Sequence, residues 1–235
     1  MDWDDRLGDL RWGGLVSYDG WTYRFNATDA MWATRMLLGE TVSGADGPEG
    51  DAVLWCMANL MYLRRNVTYA RKDGLLLVPP HSYTDIIRSY SQPINPYWFD
   101  PMHEGDAGRL QRRREVISLG PTDTWRGVRV EDVTRKVVAF MQGRIPNSVP
   151  GIVHFGESGN PRMIETHGTP ATLPFRTSNS FWKSSATRMW NETTLNSTGP
   201  EPVSVVGPVL FGLGGLALYL LLVKLTGSKT LGLLS

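Results

Sequence analysis

The chain has 235 residues, one cysteine and a formal net charge of +1. A composition of 41% hydrophobic and 20% charged residues excludes a disordered chain and a polytopic membrane protein. A single Cys excludes an intramolecular disulfide framework and a cysteine-built zinc cage. Near-neutrality leaves no electrostatic footprint for nucleic acid, and four widely spaced His give no support for a metal site, so no cofactor and no direct nucleic-acid partner are expected.

The N-terminal MDWDDRLGDL is acidic and lacks the basic and apolar regions of a secretory leader, so none is expected. Residues 15–18 and 21–24 flank Asp19-Gly20 and read as a β-hairpin. Thr28 is placed to cap a helix over residues 29–39. A glycine-punctuated loop (Gly44, Gly47, Pro48, Gly50) leads to a second helix over residues 49–65. Val53, Cys56, Met57, Leu60 and Met61 form its core stripe, and Cys56 reads as an inert core thiol. Ser82 with Asp85 forms a capping box for a short helix to Tyr90, and Pro93 and Pro96 enforce an extended or turn segment after it.

A basic helix over residues 110–119 carries Arg112, Arg113 and Arg114, either facing a phosphate-bearing polymer or lipid headgroups or lying on a solvated face. Val133, Val137, Phe140 and Met141 define a further helix over residues 131–142, which Gly143 stops. Residues 149–155 form a short apolar segment, and strand-like pieces and loops run from there to about Trp190. Residues 191–202 are polar and read as a linker.

No acidic residue follows Glu201, and residues 205–223 carry no charge. As a helix that run is about 28 Å long, close to the hydrocarbon thickness of a bilayer. The reading is a transmembrane helix over residues 203–225, followed by a short basic tail (226–235) with Lys224 and Lys229 marking the cytoplasmic side. A buried helix or a packed C-terminal hairpin is the alternative. Removing those two lysines leaves 22 basic and 23 acidic residues ahead of the span, a nearly neutral domain.

Glu40 is the leading candidate for chemistry. It follows Ala33, Met36 and Leu37 at spacings of seven, four and three, so it projects on the buried side of its helix. A carboxylate near a helix C-terminus meets the negative end of the dipole, and burial disfavours its charge further. Both effects raise its pKa, which suits the general acid in glycosidic-bond cleavage. A solvated Glu on a frayed helix end is the alternative. A second cluster, residues 90–99, combines Tyr90, Ser91, Gln92 and Asn95 with Tyr97, Trp98 and Phe99 in a proline-stiffened stretch. Amides can hydrogen-bond sugar hydroxyls and N-acetyl groups, and aromatic faces can stack on sugar rings. His154 lies in a Gly-bounded segment, either lining a cleft or serving as a hydrogen-bonded structural His.

Residues 36–59, MLLGETVSGADGPEGDAVLWCMAN, resemble the spore-cortex-lytic type of cell-wall hydrolase. That family pairs a helix ending in Gly-Glu with a Gly-rich loop, then a Glu-Gly and an Ala-Val-rich helix ending in Asn. Residues 89–93, SYSQP, are similar to the family's Gln-containing segment, and 91–96 to the Ser-Gln-Pro-Ile-Asn-Pro version of phage and gene-transfer-agent muralytic proteins. Residues 149–155 stand where the family has a Gly-x-x-x-Phe strand. The chain departs from the pattern where Leu60, not Arg, follows Asn59, and in its C-terminal apolar run.

The resemblance implies a mainly helical, lysozyme-like α+β domain over residues 28–190, preceded by an N-terminal arm and hairpin (1–27). It implies lytic transglycosylation of peptidoglycan glycan strands between N-acetylmuramic acid and N-acetylglucosamine. Glu40 matches the catalytic acid, Gln92 a residue near the cleft, and Asn59 a structural Asn. Ser91, Asn95, Tyr90 and His154 complete the expected substrate-binding set. A hydrolytic muramidase needs a second carboxylate, and Glu49 and Asp46 are the candidates. The expected setting is a phage virion protein in several copies with other tail or portal proteins, inserting its span into the host inner membrane during genome delivery. A non-catalytic membrane-tethered ejection protein is the competing reading, and a metal amidase lacks a ligand set.

Overall fold

The computed structural model describes residues 2–41, 45, 47–65, 69–70, 76–77, 81–95, 107–183 and 195–201. Among these residues are seven helices: α1 (Trp3–Leu7), α2 (Ala27–Glu40), α3 (Pro48–Arg64), α4 (Tyr83–Tyr90), α5 (Ala107–Ser118), α6 (Val130–Met141) and α7 (Pro161–His167). Nine short strands accompany them: β1 (Gly14–Ser17), β2 (Thr22–Arg24), β3 (Tyr69–Ala70), β4 (Leu76–Leu77), β5 (Thr124–Trp125), β6 (Val128–Arg129), β7 (Ile152–Glu157), β8 (Asn179–Lys183) and β9 (Leu195–Thr198). The architecture is α+β and mainly helical, with sheet order β2-β1-β9 and three two-stranded ribbons, β3-β4, β5-β6 and β7-β8.

α3 is the axis of the core. Every residue from Ala52 to Tyr62 is buried, so the helix has no solvated face, and a helix apolar on all sides must be wrapped by others. Pro48 opens it at the first helical position, where the missing N–H costs nothing. α2, α4, α6 and β7 pack around it. Trp55 meets Phe140 edge to face at 5.2 Å between centroids, and its indole N–H donates to the carbonyl of Ile145. The buried Cys56 has its thiol pushed well above its ordinary pKa by burial, which keeps it unreactive.

α2 begins two residues earlier than Thr28 predicts. Asn26 is the N-cap, in a capping box with Asp29. Asp29, the N3 partner of that box, is used twice. It also accepts from the Tyr23 hydroxyl at 2.6 Å and from the Thr84 amide and hydroxyl at 2.9 and 2.7 Å. One buried carboxylate thus ties β2, α2 and α4 together. The box predicted for Ser82 and Asp85 is present at the start of α4.

Asn59 fastens α3 to the segment leading into β7. Its side-chain amide donates to the carbonyls of Val149 at 2.9 Å and Ile152 at 3.0 Å. Asn59→Ala removes a donor from the Ile152 carbonyl and one of two donors from Val149, whose carbonyl keeps the Ile152 amide at 3.1 Å, an expected loss of about 2 kcal/mol read from the urea midpoint at constant slope.

Two sequence expectations change. Leu195–Thr198, inside the stretch read as a linker, form β9 and pair antiparallel with β1 in the register Gly14↔Thr198 to Ser17↔Leu195. The arm, hairpin and later segments therefore belong to one compact unit that extends to Pro200. The transmembrane helix is corrected as well. Among the described residues no helix is long and apolar enough to cross a membrane, and the longest, α3, spends its apolar surface on the domain core. The run expected to span, 203–225, lies outside the described residues. The single-pass topology, the inner-membrane partner and the virion placement built on them fall with it.

Candidate active site

Glu40 ends α2, and the turn after α4 comes to meet it. Ser91 caps α4, and the amides of Ile94 and Asn95 both donate back to the Ser91 carbonyl, closing a tight turn. Two side chains lock the turn: Asn95 donates to the Ser89 carbonyl at 2.6 Å, and Arg113 of α5 donates to the Ile94 carbonyl at 3.1 Å. The approach depends on Gly39. A Cβ there would stand 2.6 Å from Cγ and 2.7 Å from Cβ of Pro93, so only glycine lets the turn lie against the helix end.

The result is a carboxyl with two distinct oxygens. Glu40 Oε1 accepts from the Ser91 hydroxyl at 2.9 Å and from the Gln92 amide at 3.1 Å. Oε2 has no hydrogen-bond partner among the described residues and stays open. Burial pushes the Glu40 carboxyl up from 4.5 to about 7, and the two donated bonds hold it from rising further. Because Oε1 is already engaged as an acceptor, the protonated form carries its hydrogen on Oε2.

A cavity of about 500 Å³ lies in front of this carboxyl, within the range of about 300–1,000 Å³ common for ligand sites. Met57, Leu60, Val153 and Met163 give it apolar surface, and Gln92, His154, Asn160 and Asn179 give it polar groups. Its far elements are the β7-β8 ribbon, paired from Ile152↔Lys183 to Glu157↔Asn179, and α7. Asn160 caps α7 and Pro161 takes its first position, a start signal that was readable in the sequence.

His154 lines the cavity and stacks on His167 at 4.1 Å between centroids and 25° between planes. Burial, then the neighbouring His167 and Arg64, push His154 down to about 4. It is therefore a neutral imidazole at pH 7, one donor and one acceptor.

The sequence-predicted residues separate into three groups. Glu40, Ser91, Gln92, Tyr90 and His154 come together at the cavity. Asn95 is buried and holds the turn, so it supports the site without lining it. Glu49 is corrected as a second carboxylate. It is 6% exposed and fully engaged, accepting from the backbone and side chain of both Ser178 and Asn179. Its role is to hold Asn179, which does line the cavity. Asp46 lies outside the described residues, as do Tyr97, Trp98 and Phe99. The sequence reading missed Glu157, Asn160, His167 and Asn179 as cavity residues, and placed Arg112 on a helix without linking it to Glu40. Among the described residues no group of three or more His, Cys, Asp or Glu could hold a metal ion.

Ser91→Ala tests the balance on Glu40. The Ser91 hydroxyl favours the ionised carboxylate, so its loss moves the Glu40 pKa further up. The alkaline limb of the pH–rate profile is expected to shift to higher pH, while an unmoved limb would detach Ser91 from the titration.

No family model, no curated protein and no solved structure matches the chain.

Proposed function

We propose that the chain cleaves peptidoglycan glycan strands by lytic transglycosylation, with Glu40 as the single acid–base. The observation that carries this reading is the Glu40 carboxyl itself: Oε1 held by Ser91 and Gln92, Oε2 open to a sugar-sized cavity, and a pKa near 7. A group titrating at the working pH can give a proton and take one back in the same turnover.

In the first step Oε2–H protonates the oxygen between N-acetylmuramic acid and N-acetylglucosamine. The C1–O bond breaks and C1 acquires oxocarbenium character. The substrate's own N-acetyl oxygen stabilises that centre. In the second step the muramic 6-hydroxyl oxygen bonds to C1, and its proton passes to the Glu40 carboxylate. The products are a 1,6-anhydro end and a free 4-hydroxyl, no water is consumed, and the enzyme returns to its starting protonation. Neutral His154 and the Gln92 side-chain amide supply donors and acceptors for sugar hydroxyls and acetamido groups.

The test is mass spectrometry of peptidoglycan digested by the full-length protein. Anhydromuropeptides from the wild type, absent with Glu40→Gln, support the reading. Ordinary reducing ends would replace it with hydrolysis, and intact strands from a folded wild-type protein would remove the enzyme altogether.

A further inference from the structure

The cavity holds two charged side chains that the reaction above does not use. Arg112, from α5, and Glu157, at the end of β7, both line it. Both are exposed, and among the described residues neither side chain has a hydrogen-bond or ion-pair partner. The contrast with their neighbours is informative. Arg113, the next residue on α5, is committed to the Ile94 carbonyl, and two polar residues of the opposite wall, Asn160 and Asn179, are committed to the α7 cap and to Glu49. A guanidinium and a carboxylate share one cavity without pairing with each other.

A strand stripped of its peptides offers no cation to Glu157, and to Arg112 only the lactyl carboxylates held close to the sugar ring. A strand that carries peptide stems offers both partners: free carboxylates along and at the end of the peptide, and the ammonium of a diamino acid. We propose that Arg112 and Glu157 read the peptide stem, Arg112 gripping a stem carboxylate and Glu157 accepting from the stem ammonium, so that the enzyme selects peptide-bearing strands over bare ones. The inference rests on the proposed cleavage of peptidoglycan and adds its specificity. The guanidinium fork suits a carboxylate because it can donate two parallel bonds. Placement beside the Glu40 cavity lets binding of the stem position the scissile bond, which is where remote binding energy is useful.

The experiment compares kcat/KM of the full-length wild type, Arg112→Ala and Glu157→Gln on three substrates. They are strands with intact stems, strands stripped of their peptides by an amidase, and intact strands with acetylated stem amines. The wild type is expected to prefer intact over stripped strands by about tenfold or more, the worth of one charge-assisted hydrogen bond. That ratio should fall about tenfold in Arg112→Ala, and Glu157→Gln should become indifferent to amine acetylation. Equal losses on intact and stripped strands would overturn the proposal, since they would place Arg112 on the glycan itself or Glu157 in the bond-breaking step, and so would an Arg112→Ala loss confined to stripped strands, where the lactyl carboxylate is free. Unchanged ratios in both variants would overturn it as well. Cleavage by the wild type and not by Glu40→Gln upholds the underlying activity whichever way the ratios fall, whereas no cleavage of any strand sinks both.

Discussion

Glu40→Gln is expected to lower strand cleavage by about 10³-fold while raising the stability of the fold above neutral pH. The two effects share one cause. Glutamine keeps an oxygen that can accept from Ser91 and from the Gln92 amide, so the turn has no reason to move. It has no proton to give, so the leaving sugar oxygen must depart unassisted. The stability effect follows from linkage. In the unfolded chain the carboxyl titrates at its ordinary 4.5, and in the fold at about 7. The folded state therefore binds the proton more tightly. The contribution is fully present below pH 4.5 and is lost as pH rises to about 7. Above that window the ionised carboxylate costs up to about 3 kcal/mol, which Gln avoids. Denaturant midpoints at pH 5 and pH 8 should show the wild-type minus Gln difference moving against the wild type as pH rises. The wild-type kcat/KM should fall through an apparent pKa near 7, because the first step needs the protonated acid. His154 cannot produce that limb, since it is held near 4. A limb far from 7, or a Gln variant with residual activity near wild type, would remove Glu40 from the acid role.

What could be read in the sequence was what is decided locally. The Ser82–Asp85 box is visible because its two partners are three residues apart and bond to each other's backbone. The stripe through Cys56 and Leu60 marks α3 as a core helix, although the whole helix turns out to be enclosed. The inward placement of Glu40 follows from helical spacing alone. What fixes its chemistry does not, because Ser91 and the Gln92 amide are about fifty residues away and reach it only through the Gly39–Pro93 approach. The Asn26–Asp29 box has the same local spacing, but Thr28 offers a competing cap two residues on, and what favours Asn26 is the further bonding of Asp29 to Tyr23 and Thr84, which is tertiary. β9 escaped because Leu195–Thr198 pairs through its backbone with β1, and its polar side chains carry no strand pattern. The β7-β8 wall was half seen: the apolar part of β7 was legible, and the polar end that brings Glu157 to the cavity was not.

Glu49 shows the same limit in its strongest form, and it supports the second large prediction. Loop position and carboxylate chemistry made it a reasonable partner for Glu40 in a hydrolytic mechanism. The fold gives it different work. Oε1 accepts from the Asn179 amide at 2.9 Å, the Asn179 side chain at 2.7 Å and the Ser178 hydroxyl at 2.7 Å. Oε2 accepts from the Ser178 amide at 3.1 Å and the same hydroxyl at 2.9 Å. Both oxygens face donors only, and the site near the N-terminus of α3 favours negative charge. Glu49→Ala strands those donors in a buried place, an expected loss of about 3 kcal/mol, or about 10 °C in melting temperature for a unit of this size. Glu49→Gln should do little better, because whichever way the amide turns its NH₂ faces a backbone N–H. A carboxylate acting only on substrate would behave differently, since the Gln variant would keep wild-type stability and lose activity as completely as Glu40→Gln. With Glu49 as the anchor of Asn179, both variants lose stability, cleavage falls through a displaced cavity wall, and the alkaline limb near 7 stays where Glu40 puts it. Melting curves and pH–rate profiles of the two Glu49 variants beside Glu40→Gln therefore separate a structural carboxylate from a catalytic one in the same cleft.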